Sequence, residues 1–167
     1  MKRNGFFGVG ELVRLFILLT FVLSVSGCGE GMTFGSKSEV YLFSGVKGLL
    51  TYKGEIVRHV RLRRWLEYNG EQYEDHTETR SDGFFVFDSI RKNERSILPK
   101  EFISHQKIFV THQGGEVLIW ETVKRSEEEN AELEGRVLNF TCELTEEPRF
   151  VHLAFNSIGT KCRWQED

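Results

Sequence analysis

The sequence is poor in proline and cysteine, and it has no apolar run long enough for a membrane-spanning helix. Two prolines and three cysteines occur among 167 residues, so few backbone breaks interrupt its alternating segments. The apolar run at residues 15–25 is shorter than the about 20 residues that a helix needs to cross a bilayer. A permanent transmembrane helix is therefore not expected.

The motifs of common catalytic and metal sites are also missing. The five histidines form no H-x-H or H-E-x-x-H motif, and no G-x-S-x-G nucleophile elbow occurs. The net charge is −3, and it becomes more negative without the basic N-terminal segment, which disfavours nucleic-acid binding. The sequence therefore predicts a protein that is not an enzyme and has no cofactor, no metal and no nucleic-acid partner.

The N-terminal segment has the order of a secretory signal. Small residues follow its apolar run, and three basic residues precede it: Lys2, Arg3 and Arg14. The run ends in Val25-Ser26-Gly27-Cys28, which resembles the lipobox of bacterial lipoproteins. This resemblance implies a signal peptide at residues 1–27 and lipidation of Cys28. An ordinary cleaved signal or a short uncleaved anchor is the alternative.

Lipidation would determine where the protein is held. Burial of each methylene contributes about 0.8 kcal/mol, so two or three acyl chains anchor a protein stably. Gly29 stands where an inner-membrane retention signal usually carries Asp, and the resemblance therefore implies sorting to the outer membrane, facing the periplasm. Residues 28–38 are rich in Gly and Ser and predict a flexible, lipidated tether. The expected contact with the membrane is this lipid anchor.

Residues 39–167 are long enough for one domain with a core, and their pattern indicates β-structure. Apolar residues alternate with polar ones, and turn signals recur at short intervals. Asn69-Gly70 between two alternating segments predicts a hairpin. In this hairpin Arg64 faces Asp75 and Arg61 faces Glu78, so opposite charges pair across the strands.

A second hairpin is predicted at residues 105–124. A turn at Gly114-Gly115 places Phe109 opposite Trp120, which is expected in the core. The acidic segment at residues 125–135 is interpreted as a solvated loop or one helical turn, because it lacks the spacing of a metal site.

Two cysteines remain once Cys28 is lipidated. In an oxidising compartment, Cys142 and Cys162 are expected to form a disulfide. It would close a loop of about 20 residues and restrict the unfolded chain by about 3 kcal/mol. A reactive or metal-binding pair is the alternative, but the C-x-x-C spacing is missing.

The candidate contact residues lie in the first predicted hairpin. Trp65 is expected on the polar face of the sheet together with Arg61 and Arg63. An exposed Trp65 could contact a protein partner or stack on a sugar. The arginines are interpreted first as strand-pairing residues, with an anion site as the alternative.

Two motifs resemble the carboxypeptidase-regulatory-like, or transthyretin-like, domain. Residues 81–87 match its S-D-G-x-F-x-F motif, while an earlier strand and turn are matched by Gly48, Leu50, Gly54 and Val57. Ile56 replaces the usual Pro in that turn. The resemblance implies an all-β Greek-key sandwich of about seven to nine strands after an N-terminal signal helix. The downstream segments LPKEFISHQKIFV, IWETVKR and LNFTCELTEE resemble a family of small bacterial proteins of unknown function with this domain.

The leading hypothesis is a lipid-anchored, non-catalytic module that binds a protein or an envelope component. An immunity lipoprotein, which neutralises a toxin delivered into the periplasm, is its specific form. Small size, acidic charge, anchoring and the missing catalytic motifs favour it. The alternative is a binder of envelope carbohydrate or peptidoglycan that uses Trp65. The fold itself implies no activity, because such sandwiches have many functions.

Overall fold

The structure is a computed structural model that describes residues 37–95 and 100–164. The predicted signal peptide, Cys28 and all but the last two residues of the predicted tether lie outside these ranges. In the part that is described, no helix is both long and apolar enough to cross a membrane.

The described chain forms strands arranged in three sheets. The strands are β1 (Lys37–Phe43), β2 (Val46–Tyr52), β3 (Glu55–Ile56), β4 (Arg61–Tyr68), β5 (Glu71–Glu78), β6 (Phe84–Phe87), β7 (Ile90–Arg95), β8 (Ser104–His112), β9 (Gly115–Lys124), β10 (Leu138–Glu143), β11 (Arg149–His152), β12 (Ser157–Thr160) and β13 (Cys162–Arg163). A 3-10 turn at Ala131–Leu133 lies between β9 and β10.

The largest sheet has six strands in the order β11-β12-β9-β8-β4-β5, and all its neighbours are antiparallel. A five-stranded sheet has the order β13-β10-β2-β3, with β6 also paired to β2, and a two-stranded sheet joins β1 to β7. The predicted all-β, sandwich-like fold is confirmed. The strands outnumber the seven to nine predicted because several have only two to four residues, too few to be recognised by alternation.

The first predicted hairpin is confirmed together with its register. Arg64 pairs with Asp75 and Arg61 with Glu78. Asn69 and Gly70 have φ values of 54° and 78°, the positive values that a two-residue turn between twisted strands requires.

The predicted position of the second turn is wrong by one residue. Gln113 and Gly114 adopt φ values of 50° and 81° and form the turn, and His112 pairs with Gly115. Phe109 therefore faces Leu118 instead of Trp120. Two consecutive glycines left the turn position ambiguous, because either could supply the positive φ at its second residue.

Trp120 lies in the core despite the altered register, as its full burial shows. Its ring stacks on Phe140 at a centroid distance of 4.7 Å and meets Trp164 edge to face at 6.0 Å. Next to this cluster, Cys142 and Cys162 form the predicted disulfide between directly opposite positions of β10 and β13. The core thus joins the six-stranded sheet to the five-stranded sheet.

Candidate interaction site

The predicted contact residues lie on the outer face of the six-stranded sheet. Along β4, Leu62, Arg64 and Leu66 are buried, whereas Arg61, Arg63 and Trp65 point the other way. Strand alternation produces this division, because successive side chains lie on opposite faces. The expected grouping of the three contact residues on one face is therefore observed.

Arg63 and Trp65 are nevertheless held by neighbours on this face. Arg63 donates two hydrogen bonds to Glu116, at 2.8 and 2.7 Å, and a third to Glu74. Trp65 is half-buried, with the Lys107 ammonium 5.9 Å from its ring centre. These contacts stabilise the sheet and leave Arg63 and Trp65 only partly accessible.

Among the described residues, the most exposed large apolar side chains lie at the other end of this sheet. Phe150 on β11 is 70% exposed, and Phe155 in the loop after β11 is 79% exposed. Within residues 37–95 and 100–164, β11 pairs only with β12, so its outer edge is free. An exposed apolar edge of this kind is a common protein-interaction surface.

Gly159 on β12 allows Phe150 to lie close against the sheet. The two residues pair directly across the strands. A Cβ atom at Gly159 would lie 3.2 Å from the Phe150 ring and 2.9 Å from the Glu121 side chain. The missing side chain at Gly159 therefore makes room for the exposed ring.

A groove of about 520 Å³ lies beside Phe155, between the acidic segment and the loop after β11. We call it the loop-end groove. Its lining comprises Arg125, Ser126, Glu128, Glu129, Ala131, Glu134, Gly135, Phe155 and Asn156. Carboxylates thus outnumber cations around a partly apolar opening.

A buried polar cluster fixes the acidic segment that forms one wall of this groove. Lys124 and Glu132 are fully buried, with 3.4 Å between Lys124 Nζ and Glu132 Oε2. Glu132 also accepts hydrogen bonds from the Ser44 main chain and hydroxyl, at 2.9 and 2.7 Å, and from the Gln106 amide at 2.9 Å. A buried carboxylate with three hydrogen-bond donors and an adjacent ammonium is satisfied and holds the segment in one position.

Burial also affects the pKa of Lys124. Removal from water disfavours the charged ammonium and lowers the pKa, and the charge of Glu132 opposes this effect. The charge of Glu132 and the hydroxyl of Ser44, whose oxygen lies 3.3 Å from Lys124 Nζ, hold the Lys124 amino group in place. The arrangement is enclosed, so we assign it a structural role in positioning the groove.

Several residues of this site were missed by the sequence analysis. Phe155 continues the alternation of the preceding strand residues, but β11 ends at His152. The burial of Lys124 could have been predicted from the sequence, because Lys124 follows Trp120 and Thr122 at intervals of two and therefore lies on the same face of β9. Glu132 lies in an acidic segment and only its flanking Ala131 and Leu133 distinguish it from the exposed glutamates.

Among the described residues, no group of three or more His, Cys, Asp or Glu side chains is arranged to hold a metal ion. The candidate interaction surfaces in this part of the chain are the exposed aromatic edge at β11, the acidic loop-end groove and the charged outer face of the six-stranded sheet.

Comparison with known proteins identifies a family without an assigned activity. Residues 46–147 match the family described as Domain of unknown function (DUF6795), and the match ends just before β11. No curated protein and no solved structure shows significant similarity to the chain. Because the matched stretch spans more than half of the chain, the protein belongs to the DUF6795 family.

Proposed function

We propose that this protein is a non-catalytic interaction module that binds a protein partner through the free edge of β11 and the loop that follows it. In this proposal, lipid on Cys28 anchors the protein to the outer membrane, and the sandwich faces the periplasm. The observation that carries the binding role is the exposure of Phe150 and Phe155 beside the outer edge of β11, with which no other described strand pairs.

The two edge strands of the six-stranded sheet differ in the charge of their side chains. The outer strand β5 carries four acidic residues: Glu71, Glu74, Asp75 and Glu78. Such charges protect an edge from pairing with another chain. At the opposite edge, β11 has no carboxylate and presents Phe150 instead. A partner strand could pair with the β11 main chain while its side chains contact Phe150.

Affinity capture of the lipidated protein from its native envelope tests this surface. Phe150→Ser should abolish recovery of a partner that wild type recovers, because burial of a phenylalanine contributes several kcal/mol at an interface. Phe84→Ser is the matched control, since Phe84 is also exposed but lies on the five-stranded sheet. Equal recovery by wild type and both variants would contradict the proposed surface.

The lipid anchor rests on the sequence of residues 25–28. Cys28→Ser should release the protein from the membrane fraction, because the apolar segment is too short to span a bilayer. The mature protein should begin at Cys28 with acyl chains attached, as measured by mass spectrometry. An N-terminus at Met1 would contradict both the signal peptide and the lipidation.

We also propose that the sandwich is of the carboxypeptidase-regulatory-like, or transthyretin-like, type. The two matching motifs are neighbours in the fold, since Gly48 on β2 pairs with Phe85 on β6. A Cβ atom at position 48 would lie 2.4 Å from the Phe85 ring, which explains a glycine at this motif position. This packing supports the proposal.

The specific form of the proposed function is an immunity lipoprotein. Its support is the small, acidic domain, the lipobox-like sequence at residues 25–28 and the exposed Phe150 on the edge strand β11. A toxin gene near this gene and survival of toxin-expressing cells only with wild-type protein are the expected results. Absence of both would remove this version while leaving other protein partners possible.

A carbohydrate or peptidoglycan binder is the second candidate, and one observation favours it. Trp65 and Phe150 lie on the same face in one cross-strand row with Lys107, Glu121 and Gly159. Four strand spacings separate the two aromatic residues by about 19 Å, which is room for an extended saccharide. Glycan-array binding that Trp65→Ala abolishes would support this function, and no binding by wild type would exclude it.

A further inference from the structure

We propose that β11 receives a short extended segment of the protein partner, and that this segment runs antiparallel to β11 and pairs with Phe150 and His152 alone. This inference rests on the proposed function, because it names the kind of partner structure that fits the same binding edge. Its basis is the direction in which the main-chain groups of β11 point.

A hydrogen bond at the end of β11 shows which of its main-chain groups face outward. Leu153 donates its N–H to the carbonyl of Asn156, just before β12, at 2.9 Å. Residue 153 therefore faces β12, and so do residues 151 and 149, because main-chain groups alternate in direction along an antiparallel strand. The N–H and C=O groups of Phe150 and His152 consequently point away from the sheet.

The outer edge of β11 is open for pairing only at these two residues. Pro148, which precedes β11, has no N–H to donate. Beyond the other end of β11, the N–H of Ala154 already donates to the Glu134 carboxylate at 2.6 Å. No described strand pairs with this edge. Phe150 and His152 thus form a two-residue window that is closed on both sides.

The size of this window limits the structure that can bind. In an antiparallel pair, two opposite residues exchange both N–H···O bonds. Phe150 and His152 can therefore form four hydrogen bonds with three consecutive partner residues, whereas a parallel segment would need about five for the same bonds. A longer strand would lose a donor at Pro148 and meet the Glu134 carboxylate. A loop or chain end fits this window, whereas the edge strand of another sheet does not.

The side chains of β11 define which residues of the segment are favoured. Partner residues opposite Phe150 and His152 project to the same outer face of the sheet, because paired residues share a face. Phe150 is 70% exposed, and cross-strand pairs of an aromatic with an aromatic or β-branched residue are stabilising. We therefore expect an aromatic or β-branched residue opposite Phe150.

The charged groups at the two ends of the window have opposite signs. Glu134 is exposed, and no cation of the described residues lies within ion-pair distance of it. Arg149 is half-buried and donates to the Cys162 carbonyl, and no described carboxylate pairs with it. The segment should therefore be basic where it passes Glu134 and acidic where it passes Arg149.

A synthetic peptide tests the pairing directly. Ac-Lys-Thr-Val-Thr-Ile-Glu-NH2 places its Ile opposite Phe150 and its Val opposite His152 when it lies antiparallel to β11. At millimolar concentration it should slow hydrogen exchange of the Phe150 and His152 main-chain amides of isotope-labelled wild type by at least about fivefold, as measured by NMR. The Val151 amide, which faces β12, should be unaffected. Slowing of neither Phe150 nor His152 would overturn the inference.

Modified peptides separate main-chain pairing from charge. N-methylation of the peptide Val and Ile removes the N–H groups that face β11 and should abolish the slowing. The matched control carries N-methyl groups on the two Thr residues, whose N–H groups face away, and should still slow exchange. Exchanging the terminal Lys and Glu should weaken binding by at least about twofold. Equal binding of all these peptides would contradict the proposed pairing.

A variant tests the same pairing with the native partner. His152→Pro removes the outward N–H without breaking a bond to β12, and proline is tolerated on an edge strand where its nitrogen faces solvent. Partner recovery in affinity capture should fall by at least about tenfold. His152→Thr is the matched control, because it keeps the N–H and should recover the partner as wild type does. Urea denaturation of both variants shows whether the fold is retained, and the peptide experiment does not depend on either.

The two proposals can fail separately. If His152→Pro folds and recovers the partner as His152→Thr does, while Phe150→Ser still abolishes capture, main-chain pairing is wrong and the proposed surface stands. If the peptide slows exchange at both amides but Phe150→Ser leaves capture unaffected, the proposed binding surface fails.

Discussion

At the residue scale, Arg64 illustrates how a charged side chain can be part of this core. It lies at an inward position of β4, and only 1% of its side chain is exposed. Its Nε and Nη2 donate to Asp75 at 2.9 and 2.6 Å. The guanidinium also lies 5.0 and 4.7 Å from the ring centres of Phe43 and Phe87. Planar stacking and a bidentate pair together suit Arg better than Lys.

Removal of the carboxylate that faces Arg64 should therefore destabilise the fold. Asp75→Asn is expected to lower the free energy of unfolding by about 1.5–3 kcal/mol, the usual value for a hydrogen bond to a charged group. Urea denaturation measures this change. Asp88→Asn, at an exposed aspartate, should change stability by less than about 0.5 kcal/mol. Similar effects of both substitutions would contradict the assigned role.

In the acidic segment, Glu132 pairs with the buried cation of Lys124, as Asp75 pairs with that of Arg64. Glu132→Gln keeps the size of the side chain but leaves the buried ammonium of Lys124 without its counter-charge. Breaking a buried pair in this way costs about 3–5 kcal/mol. We expect a loss of this size in thermal or urea unfolding. Glu128→Gln in the same segment is the control and should have little effect, because Glu128 is exposed.

At the element scale, short turns with one glycine determine the hairpins. Lys53-Gly54, Asn69-Gly70 and Gln113-Gly114 all have positive φ at both residues. The first of these turns receives a tertiary cap, because Glu143 on β10 accepts hydrogen bonds from the main-chain N–H groups of Lys53 and Gly54, each at 2.9 Å. The cap joins β10 to the β2–β3 turn.

The cap formed by Glu143 should make stability depend on pH. Burial would raise the pKa of Glu143, but hydrogen bonds from Thr145 and Gly54 outweigh it and lower the pKa to about 2. A lowered pKa means that the folded state favours the ionised form. Its stabilising contribution is complete above the ordinary value of 4.5 and is lost as the pH falls towards about 2.

Glu143→Gln should accordingly be less stable than wild type by about 1–3 kcal/mol at pH 7. The difference in unfolding free energy should shrink between about pH 4.5 and pH 2, as measured by denaturation at several pH values. Glu147→Gln should show no such convergence with wild type. A constant difference across this pH range would contradict the role of the ionised cap.

At the scale of the whole molecule, distant segments hold the C-terminal strands beside the core. The disulfide joins β10 to β13, and Arg149 at the start of β11 donates to the Cys162 carbonyl at 2.9 Å. The Arg149 guanidinium also lies 5.3 Å from the centre of the Trp164 ring. The edge strand that carries Phe150 is thus positioned by the disulfide region.

Local features of the fold could be predicted from sequence, whereas the candidate site could not. Asn69-Gly70 determines one turn unambiguously, and from it the pairing of Arg64 with Asp75 follows. Glu132 is different, because its partner Ser44 is 88 positions away and no local pattern brings the two together. Phe155 fits the alternation of a strand that ends before it. The groove and the free edge therefore required the tertiary structure.

Site-specific photocrosslinking in intact cells tests the central claim most directly. A benzophenone amino acid at position 150 should yield one crosslinked protein partner, whereas the same group at exposed position 84 or on the acidic edge at position 76 should not. The partner should be the protein that capture with wild type recovers. Equal crosslinking from positions 150, 84 and 76, or none from position 150 while wild-type capture succeeds, would contradict binding through the β11 edge.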